Sequence, residues 1–311
     1  AEMSFDPAAP DHSLTGMTNR WRPMLDDARR APALWRLILG IATVFSVLTL
    51  WIFGLFILRS LIPAGSGGEL DTQVFGLSAQ APLDATLYLL LVAGLGFGTF
   101  TAAWIWQRRS PRTLVGRGAR TLRHGAIAAS VAFGVLGLLS LLALPLTEAP
   151  VRNLNLSTWL IWLPVGLAAL ILQTGGEEVF FRGYLQSQLA ARFGSTTVAV
   201  IVPSILFGFA HFVPFIPTGA ALIYVAIAAL FGVLAADLTI RTGSLGAAWG
   251  FHLANNTIAV LFIAPSGSFT GLALWRTGYD LSTYLEISPA IAFEALVLVG
   301  TWFLIRRALH V

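Results

Sequence analysis

The sequence predicts an all-α, polytopic membrane protein with about eight transmembrane helices. Of the 311 residues, 56% are apolar and only 11% are charged, whereas soluble domains carry roughly 25% charged residues. The apolar residues fall in repeated blocks long enough to cross about 30 Å of hydrocarbon. Ten Trp and thirty Gly are typical of interfacial belts and of close contacts between spanning helices.

The charged residues and the absence of cysteine exclude several classes of protein. The chain has no Cys, so it has neither a disulfide framework nor a thiol nucleophile. All 19 basic residues are Arg, and they lie mostly between the apolar blocks rather than on a basic soluble domain. We therefore expect membrane lipid around the chain and no nucleic-acid partner. The all-Arg composition indicates a GC-rich bacterial genome, and hence an integral protein of the bacterial inner membrane.

The chain begins with a polar segment and continues as one membrane domain. Residues 1–33 lack the basic start and short apolar core of a signal peptide. We predict that they form a cytoplasmic N-terminal tail, with its later part on the membrane surface. Residues 34–311 are predicted to form a single transmembrane helical domain. The predicted spans, in order, are 37–58, 85–106, 125–144, a fourth that starts at 158, and then 196–212, 220–236, 245–264 and 289–305.

The distribution of Arg predicts the orientation. Six Arg lie in the loop 108–123, which the positive-inside rule assigns to the cytoplasm. Loops 62–84, 147–157 and 265–288 are then external, and eight spans leave both termini cytoplasmic. An apolar patch at 272–275 is expected to dip into the membrane interface.

The fourth span carries a costly group of charges. It runs through Gly175 and Gly176 into Glu177 and Glu178, followed by Arg182. Charges near a bilayer core cost about 2.5–3.5 kcal/mol each on insertion scales, so they indicate a functional site; a buried structural ion pair is the alternative. A continuous helix from 158 to 193 would measure roughly 54 Å. We therefore expect a tilt, a bend at the glycine pair, or a projection into the cytoplasm.

Helical spacing divides the two acids between different tasks. Glu178 and Arg182 are four residues apart with the acid first, the better orientation for a pair. Glu177 points about 100° away around the helix, on a stripe with Gln173, Tyr184 and Gln188. Glu177 is therefore available for chemistry, while Glu178 is neutralised by Arg182.

Polar residues in two later spans complete a candidate site. His211 ends the fifth span, four residues after Phe207, and the seventh span carries His252 and Asn256 one turn apart. A carboxylate and an imidazole can deprotonate a water, while a second imidazole and a carboxamide can donate to an oxyanion. This is the equipment for amide hydrolysis. A lone His in a span is more often a packing residue, and Glu294 in the eighth span is interpreted as a structural acid.

These three motifs, in this order, resemble the CAAX prenyl protease and bacteriocin-processing family, also called the Abi or type II CAAX endopeptidase family. The motifs are Glu-Glu-x-x-x-Arg at 177–182, Phe-x-x-x-His at 207–211 and His-x-x-x-Asn at 252–256. The resemblance covers about residues 120–265. It implies an intramembrane endopeptidase that cleaves a membrane-associated or lipidated peptide, alone or within a larger membrane complex.

The resemblance also implies a role for each residue. Glu177 and His211 would activate the water, and His252 and Asn256 would form the oxyanion hole. Glu178, Arg182 and Phe207 would support the site. No metal is assigned, although a divalent ion such as zinc at Glu177, His211 and His252 stays open.

Two other functions stay open at the level of sequence. A non-catalytic membrane scaffold or immunity protein of the same fold would bind a peptide or a partner complex. A transporter or haem protein would use His211 and His252 as axial ligands, but haem binding gives no reason for the acid pair or Asn256.

Overall fold

The structure is a computed structural model that describes residues 20–61, 80–143, 149–267, 269–286 and 288–311. The predictions for His12, for most of the acidic loop at 62–84 and for the end of the third span at 144–145 lie outside the described residues.

The described residues form helices packed side by side, with one small sheet. The helices are α1 (Arg22–Arg29), α2 (Leu34–Ser60), α3 (Pro82–Ala102), α4 (Pro111–Val115), α5 (Gly118–Ala143), α6 (Leu156–Glu178), α7 (Gln186–Phe193), α8 (Thr196–Ala210), α9 (Thr218–Thr242), α10 (Gly246–Thr257), α11 (Leu281–Glu286) and α12 (Ser288–Leu309). Three of them continue in wider, π-helical turns: α3 in Ala103–Gln107, α6 in Val179–Leu185 and α10 in Ile258–Phe262.

All eight predicted spans are helical, which confirms the all-α polytopic class. Within the described residues, six helical stretches are long and apolar enough to cross a membrane. The predicted fifth and seventh spans are shorter, because α8 has 15 residues and α10 with its π-helical turn ends at Phe262. The two short segments carry His211 and His252, so the candidate site lies where the bundle contains shorter helices.

The helices that carry the candidate site lie inside the bundle. Helix α6 packs against α3 and α10, while α10 also packs against α5 and α9. Large apolar side chains instead project from the outer helices, for example Leu50 on α2 and Leu141 on α5, which are 71% and 65% exposed. Hydrocarbon is the medium in which such surfaces are stable, so the outer helices face lipid.

The glycine pair before the two acids is a contact surface and not a break. Helix α6 runs without interruption through Gly175 and Gly176 to Glu178, and the irregular turn begins only at Val179. A Cβ on Gly176 would lie 3.2 Å from the backbone nitrogen of Gly96 on α3. The expected bend at the glycine pair is therefore absent, because these glycines are needed for close packing.

The two predicted external loops before and after the site helices meet in a sheet that the sequence did not indicate. Strand β3 (Trp275–Asp280) lies between β1 (Val151–Arg152) and β2 (Ile263–Ser266). It pairs antiparallel with β1 and parallel with β2. The strands are short and interrupt no apolar periodicity, so they leave little trace in sequence.

The apolar patch at 272–275 does not behave as one surface. Leu272 is only 1% exposed and packs in a cluster with Leu170 and Leu261, whereas Trp275 is 37% exposed. The expectation that the whole patch dips into the membrane interface is wrong for Leu272. Its side chain is satisfied by the protein's own core.

The end of the predicted tail is a docked helix. Trp21, Met24, Leu25 and Ala28 are buried in the main core, and α1 packs against α7. Helix α1 is therefore attached to the membrane domain through its apolar face, at the end of the long segment that begins with α6.

Candidate active site

The candidate site lies where α6, α8 and α10 meet. Glu177 and Glu178 are the last two residues of α6, His211 follows the last residue of α8, and His252 and Asn256 lie in α10. These positions agree with the predicted location on spans four, five and seven.

His252 connects the two acids. Its Nδ1 lies 2.8 Å from Glu178 Oε1, and its Nε2 lies 3.5 Å from Glu177 Oε2. Arg182 Nη1 donates to the same Glu178 oxygen at 3.0 Å. The sequence correctly paired Glu178 with Arg182, but it did not show that one imidazole would bridge both carboxylates.

Gln173 extends this connection to Asn256. Its Nε2 donates to Glu177 Oε1 at 2.9 Å, and its Oε1 accepts from Asn256 Nδ2 at 3.2 Å. Gln173 was placed on the Glu177 stripe by helical spacing, but it was not proposed as a site residue. The signal that could have identified it is its position one turn before Glu177 in an apolar span.

The six residues therefore form one continuous chain of polar contacts, which we call the polar chain. In order, it runs through Arg182, Glu178, His252, Glu177, Gln173 and Asn256.

The polar stripe predicted on α6 ends at Glu177. Tyr184 points elsewhere and accepts a hydrogen bond from Gln107 Nε2 at 2.7 Å. The π-helical turn Val179–Leu185 lies between Glu177 and Gln188. Its i→i+5 hydrogen bonds widen each turn, so residues beyond it no longer continue the α-helical face.

His211 lies beside Phe207 and makes no hydrogen bond or ion pair with Glu177 in the described structure. Its Nδ1 is 2.8 Å from the Phe207 carbonyl oxygen, and the two rings are 4.5 Å apart. Because a carbonyl only accepts, Nδ1 carries the hydrogen and Nε2 holds the lone pair. The tautomer is thus suited to accepting a proton or a hydrogen bond at Nε2.

Three phenylalanines enclose the buried end of the polar chain. The Arg182 guanidinium carbon lies 4.2 Å from the ring centre of Phe207 and 5.8 Å from those of Phe181 and Phe231. Phe231 also lies 5.0 Å from the His252 ring. Phe207 was predicted as a supporting residue, but Phe231 on α9 was missed, because one Phe in an apolar span looks like any other.

Burial divides the site into an enclosed part and an accessible part. Glu178 is 0%, Arg182 1%, His252 3% and Glu177 7% exposed, while His211 and Asn256 are partly exposed. Glu177 Oε2 is buried and has no hydrogen-bond partner in the described structure. The enclosed part holds the charges in place, and Glu177 lies at its boundary with the accessible side.

The charges of the site suggest where a proton resides. Two carboxylates and one guanidinium leave one excess negative charge if both imidazoles are neutral. A buried uncompensated charge is strongly destabilising. His252 Nδ1 already donates to Glu178, so a second proton on Nε2, facing Glu177, balances the polar chain.

The arrangement does not fit a metal ion. Both ring nitrogens of His252 face carboxylate oxygens, which leaves no free lone pair for a cation. Among the described residues, no three His, Asp or Glu side chains are grouped as metal ligands would be. The alternative zinc site at Glu177, His211 and His252 is therefore not supported by the positions of these donors.

Glu294 lies outside the polar chain. Its carboxylate accepts a hydrogen bond from the Tyr284 hydroxyl at 3.0 Å, which joins α12 to α11. This contact agrees with its interpretation as a structural acid. A second predicted pair, Asp237 with Arg241, is also present, at 2.8 Å.

The comparisons with known proteins agree with the geometry. Residues 156–258, about a third of the chain, match the family model described as type II CAAX prenyl endopeptidase Rce1-like. This match confirms the resemblance over the segment that carries all the site residues, and it supports a CAAX-type intramembrane protease at the level of the family. With six long apolar helices, the chain is an integral membrane protein.

A curated relative matches over a similar length. The uncharacterized protein YyaK of Bacillus subtilis (strain 168) is 32% identical over 122 residues, which are 39% of this chain and 40% of the relative. The chain thus matches less than half of that protein. No solved structure matches the chain.

Proposed function

We propose that this protein is an intramembrane endopeptidase that hydrolyses a peptide bond through a water activated by Glu177 and His211. The observation that carries the proposal is the polar chain, which ends at a buried Glu177 oxygen without a hydrogen-bond partner. A carboxylate oxygen held in this way is suited to bind a water and to accept its proton.

The reaction follows from the donors and acceptors around Glu177. The oxygen of the water attacks the carbonyl carbon of the substrate, and one of its protons passes to Glu177. His211 Nε2, whose lone pair is free because Nδ1–H faces the Phe207 carbonyl, accepts the second water hydrogen bond. When the C–N bond breaks, Glu177 returns the proton to the leaving amine. Water and amide thus give a carboxylic acid and an amine.

The oxyanion formed in this reaction requires donors. Asn256 Nδ2 uses one N–H on Gln173, so its second N–H is available. His252 Nε2 lies 3.5 Å from Glu177, too long for a strong hydrogen bond, and can turn its proton towards the oxyanion. Removing one such donor typically lowers kcat by about 10²–10³-fold.

Glu178 and Arg182 are positioning residues in this mechanism. Glu178 accepts from His252 Nδ1 and from Arg182 through one oxygen. This fixes the imidazole orientation and leaves Nε2 facing Glu177. Phe207 covers Arg182 and lies between the two imidazoles, with ring distances of 4.5 and 5.8 Å.

The proposed substrate is a membrane-associated or lipidated peptide, such as a bacteriocin leader or a regulatory membrane protein. The site residues lie on helices that belong to a membrane bundle, so the scissile bond must reach the protein from the lipid or from its surface. The proposed location is the bacterial inner membrane, where the protein acts alone or in a larger complex.

The decisive experiment compares the purified protein with its Glu177→Gln variant in lipid nanodiscs. A farnesylated peptide, the same peptide without the lipid, and a library of membrane-protein peptides are incubated with each, and mass spectrometry identifies fragments. We expect cleavage by the wild type and a loss of about 10²–10⁴-fold in the variant. Glu294→Gln serves as the matched control and should retain activity.

Two outcomes would redirect the assignment. If Glu177→Gln retains full biological effect in cells, the non-catalytic scaffold of the same fold becomes the better assignment. If activity is lost on exhaustive chelation and restored by zinc, the mechanism without a metal is wrong.

A further inference from the structure

A cavity with cationic walls lies apart from the candidate active site. It has a volume of about 360 Å³ and is bounded by the start of α1, by α4 with the start of α5, and by the end of α9. Its charged lining residues are Arg20, Arg112, Arg117, Arg120 and Asp27. We call it the arginine pocket.

The pocket has a large excess of positive charge. Asp27, its one lining carboxylate, is already paired with Arg30 at 2.9 Å. Within the described part of the chain, the guanidinium groups of Arg112, Arg117 and Arg120 have no acidic partner. Three cations without carboxylates around one cavity repel each other and require an anion to neutralise them.

The backbone around the pocket is held in one shape. Gly116 has φ +94° and packs so tightly that a Cβ there would lie 2.7 Å from Ser244 Cβ. Arg109, which is 3% exposed, donates to Ser187 Oγ at 2.9 Å and to the Thr113 carbonyl at 2.9 Å. The same guanidinium reaches the Met24 carbonyl at 3.3 Å, so α1, α4 and α7 are joined behind the pocket.

Arg109 remains a cation despite its burial. Loss of hydration lowers its pKa to about 10, partly opposed by Asp27. At neutral pH it therefore adds a fixed positive charge behind the pocket wall.

The ends of spanning helices place the pocket at the membrane surface. The spanning stretch that begins with α3 ends at Gln107, the next starts at Pro111, and α9 ends at Thr242, all at this side of the bundle. Leu122, one turn into α5, is 73% exposed and offers an apolar surface directly below the cations. A cationic cavity above an apolar helix face matches the two halves of an anionic lipid.

We propose that the arginine pocket binds the phosphate of an anionic membrane-lipid headgroup, with an acyl chain along the exposed face of α5. Guanidinium groups form paired hydrogen bonds with phosphate oxygens, which gives geometric selectivity as well as charge neutralisation. This inference concerns a second site and does not depend on peptidase activity.

The test measures lipid binding to the purified full chain in neutral detergent by native mass spectrometry. Phosphatidylglycerol and phosphatidylcholine with identical acyl chains are the probes. We expect phosphatidylglycerol to bind preferentially. The double variant Arg117→Gln/Arg120→Gln should weaken its binding about thirty-fold, as expected for two cations at a membrane surface.

A matched control separates a built pocket from diffuse charge. Arg22→Gln/Arg123→Gln removes two exposed cations from the same side of the bundle without changing a residue that lines the cavity. Binding should stay within about three-fold of wild type. Equal weakening by both double variants, or no preference for phosphatidylglycerol, overturns the proposal.

Two further measurements close the remaining routes. Soluble sn-glycerol 1-phosphate and inorganic phosphate are added as competitors; competition at the lipid's own affinity would identify a soluble phosphate as the ligand and overturn the lipid assignment. Thermal unfolding of each variant checks the fold. The single variant Arg112→Gln, on α4, provides a second test and should weaken lipid binding by several-fold.

Discussion

His252 Nδ1 lies 2.8 Å from Glu178 Oε1, although the two residues are 74 positions apart in the chain. Arg182 binds the same oxygen at 3.0 Å. This one carboxylate oxygen thus joins α10 to α6 at the most buried point of the candidate site, and it determines which way the imidazole faces.

We expect Glu178→Gln to destabilise the fold. The change leaves the guanidinium of Arg182, 1% exposed, without its counter-charge. Breaking a buried ion pair in this way costs about 3–5 kcal/mol, measured as thermal or denaturant unfolding in detergent. The exposed Asp26, 3.7 Å from Arg29, provides the control, because Asp26→Asn should change stability by less than about 1 kcal/mol.

A double variant separates charge from packing at this pair. Glu178→Gln/Arg182→Met removes both charges and should regain much of the stability lost in Glu178→Gln. If the double variant is as unstable as the single one, the loss has another cause than the unpaired guanidinium.

Gln173→Leu tests the accessible half of the polar chain. The variant removes the donor to Glu177 and the acceptor for Asn256 while roughly preserving volume. We expect kcat to fall about 10²-fold, with a smaller change in KM, because the general base and the oxyanion donor lose their alignment. The measurement is peptide cleavage in nanodiscs.

The control for Gln173 is a glutamine far from the site. Gln80 is exposed and donates only to the Gly267 carbonyl, at 3.0 Å, so Gln80→Leu should leave kcat unchanged. An equal loss in both variants, or unchanged kcat in Gln173→Leu, would contradict a positioning role.

Gly176→Val tests the crossing of α6 and α3. A Cβ at this position would lie 3.2 Å from the Gly96 nitrogen and 3.3 Å from the Ala93 carbonyl oxygen, and neither backbone atom can move alone. Overpacking of this kind costs about 1–3 kcal/mol. Gly137, which has open space around its Cα, is the control, and Gly137→Ala should unfold at the wild-type temperature or above.

The predicted orientation can be tested directly because the chain has no Cys. Single variants Arg117→Cys and Ser282→Cys place one thiol on each side of the bundle. In intact inner-membrane vesicles of right-side-out orientation, an impermeant maleimide should label Ser282→Cys and should spare Arg117→Cys until the membrane is opened. The reversed pattern would show that the termini are external.

Much of the bundle was predictable because lipid imposes a simple rule on sequence. A helix that crosses hydrocarbon must satisfy its own backbone and present apolar side chains, so each spanning block is visible as composition. The same rule made Glu177, Glu178, Arg182, His211 and His252 conspicuous, since polar side chains in such blocks are rare.

The rest could not be read because it depends on contacts between distant segments. The sheet formed by β1, β2 and β3 joins loops with no periodic pattern. The packing of Gly176 on Gly96 looks, in sequence, like a bend. Phe231 is one apolar residue among many until α9 places it against His252.

By itself, the sequence determined the class of protein, the helices that carry the polar residues and the pairing of Glu178 with Arg182, because these depend on composition and on spacing within one helix. Only the tertiary structure decided that His252 bridges both acids, that Gln173 links Glu177 to Asn256, and that four arginines surround one cavity. The physical reason is that a local pattern specifies which face of a helix a residue occupies, whereas packing between helices specifies what that face meets.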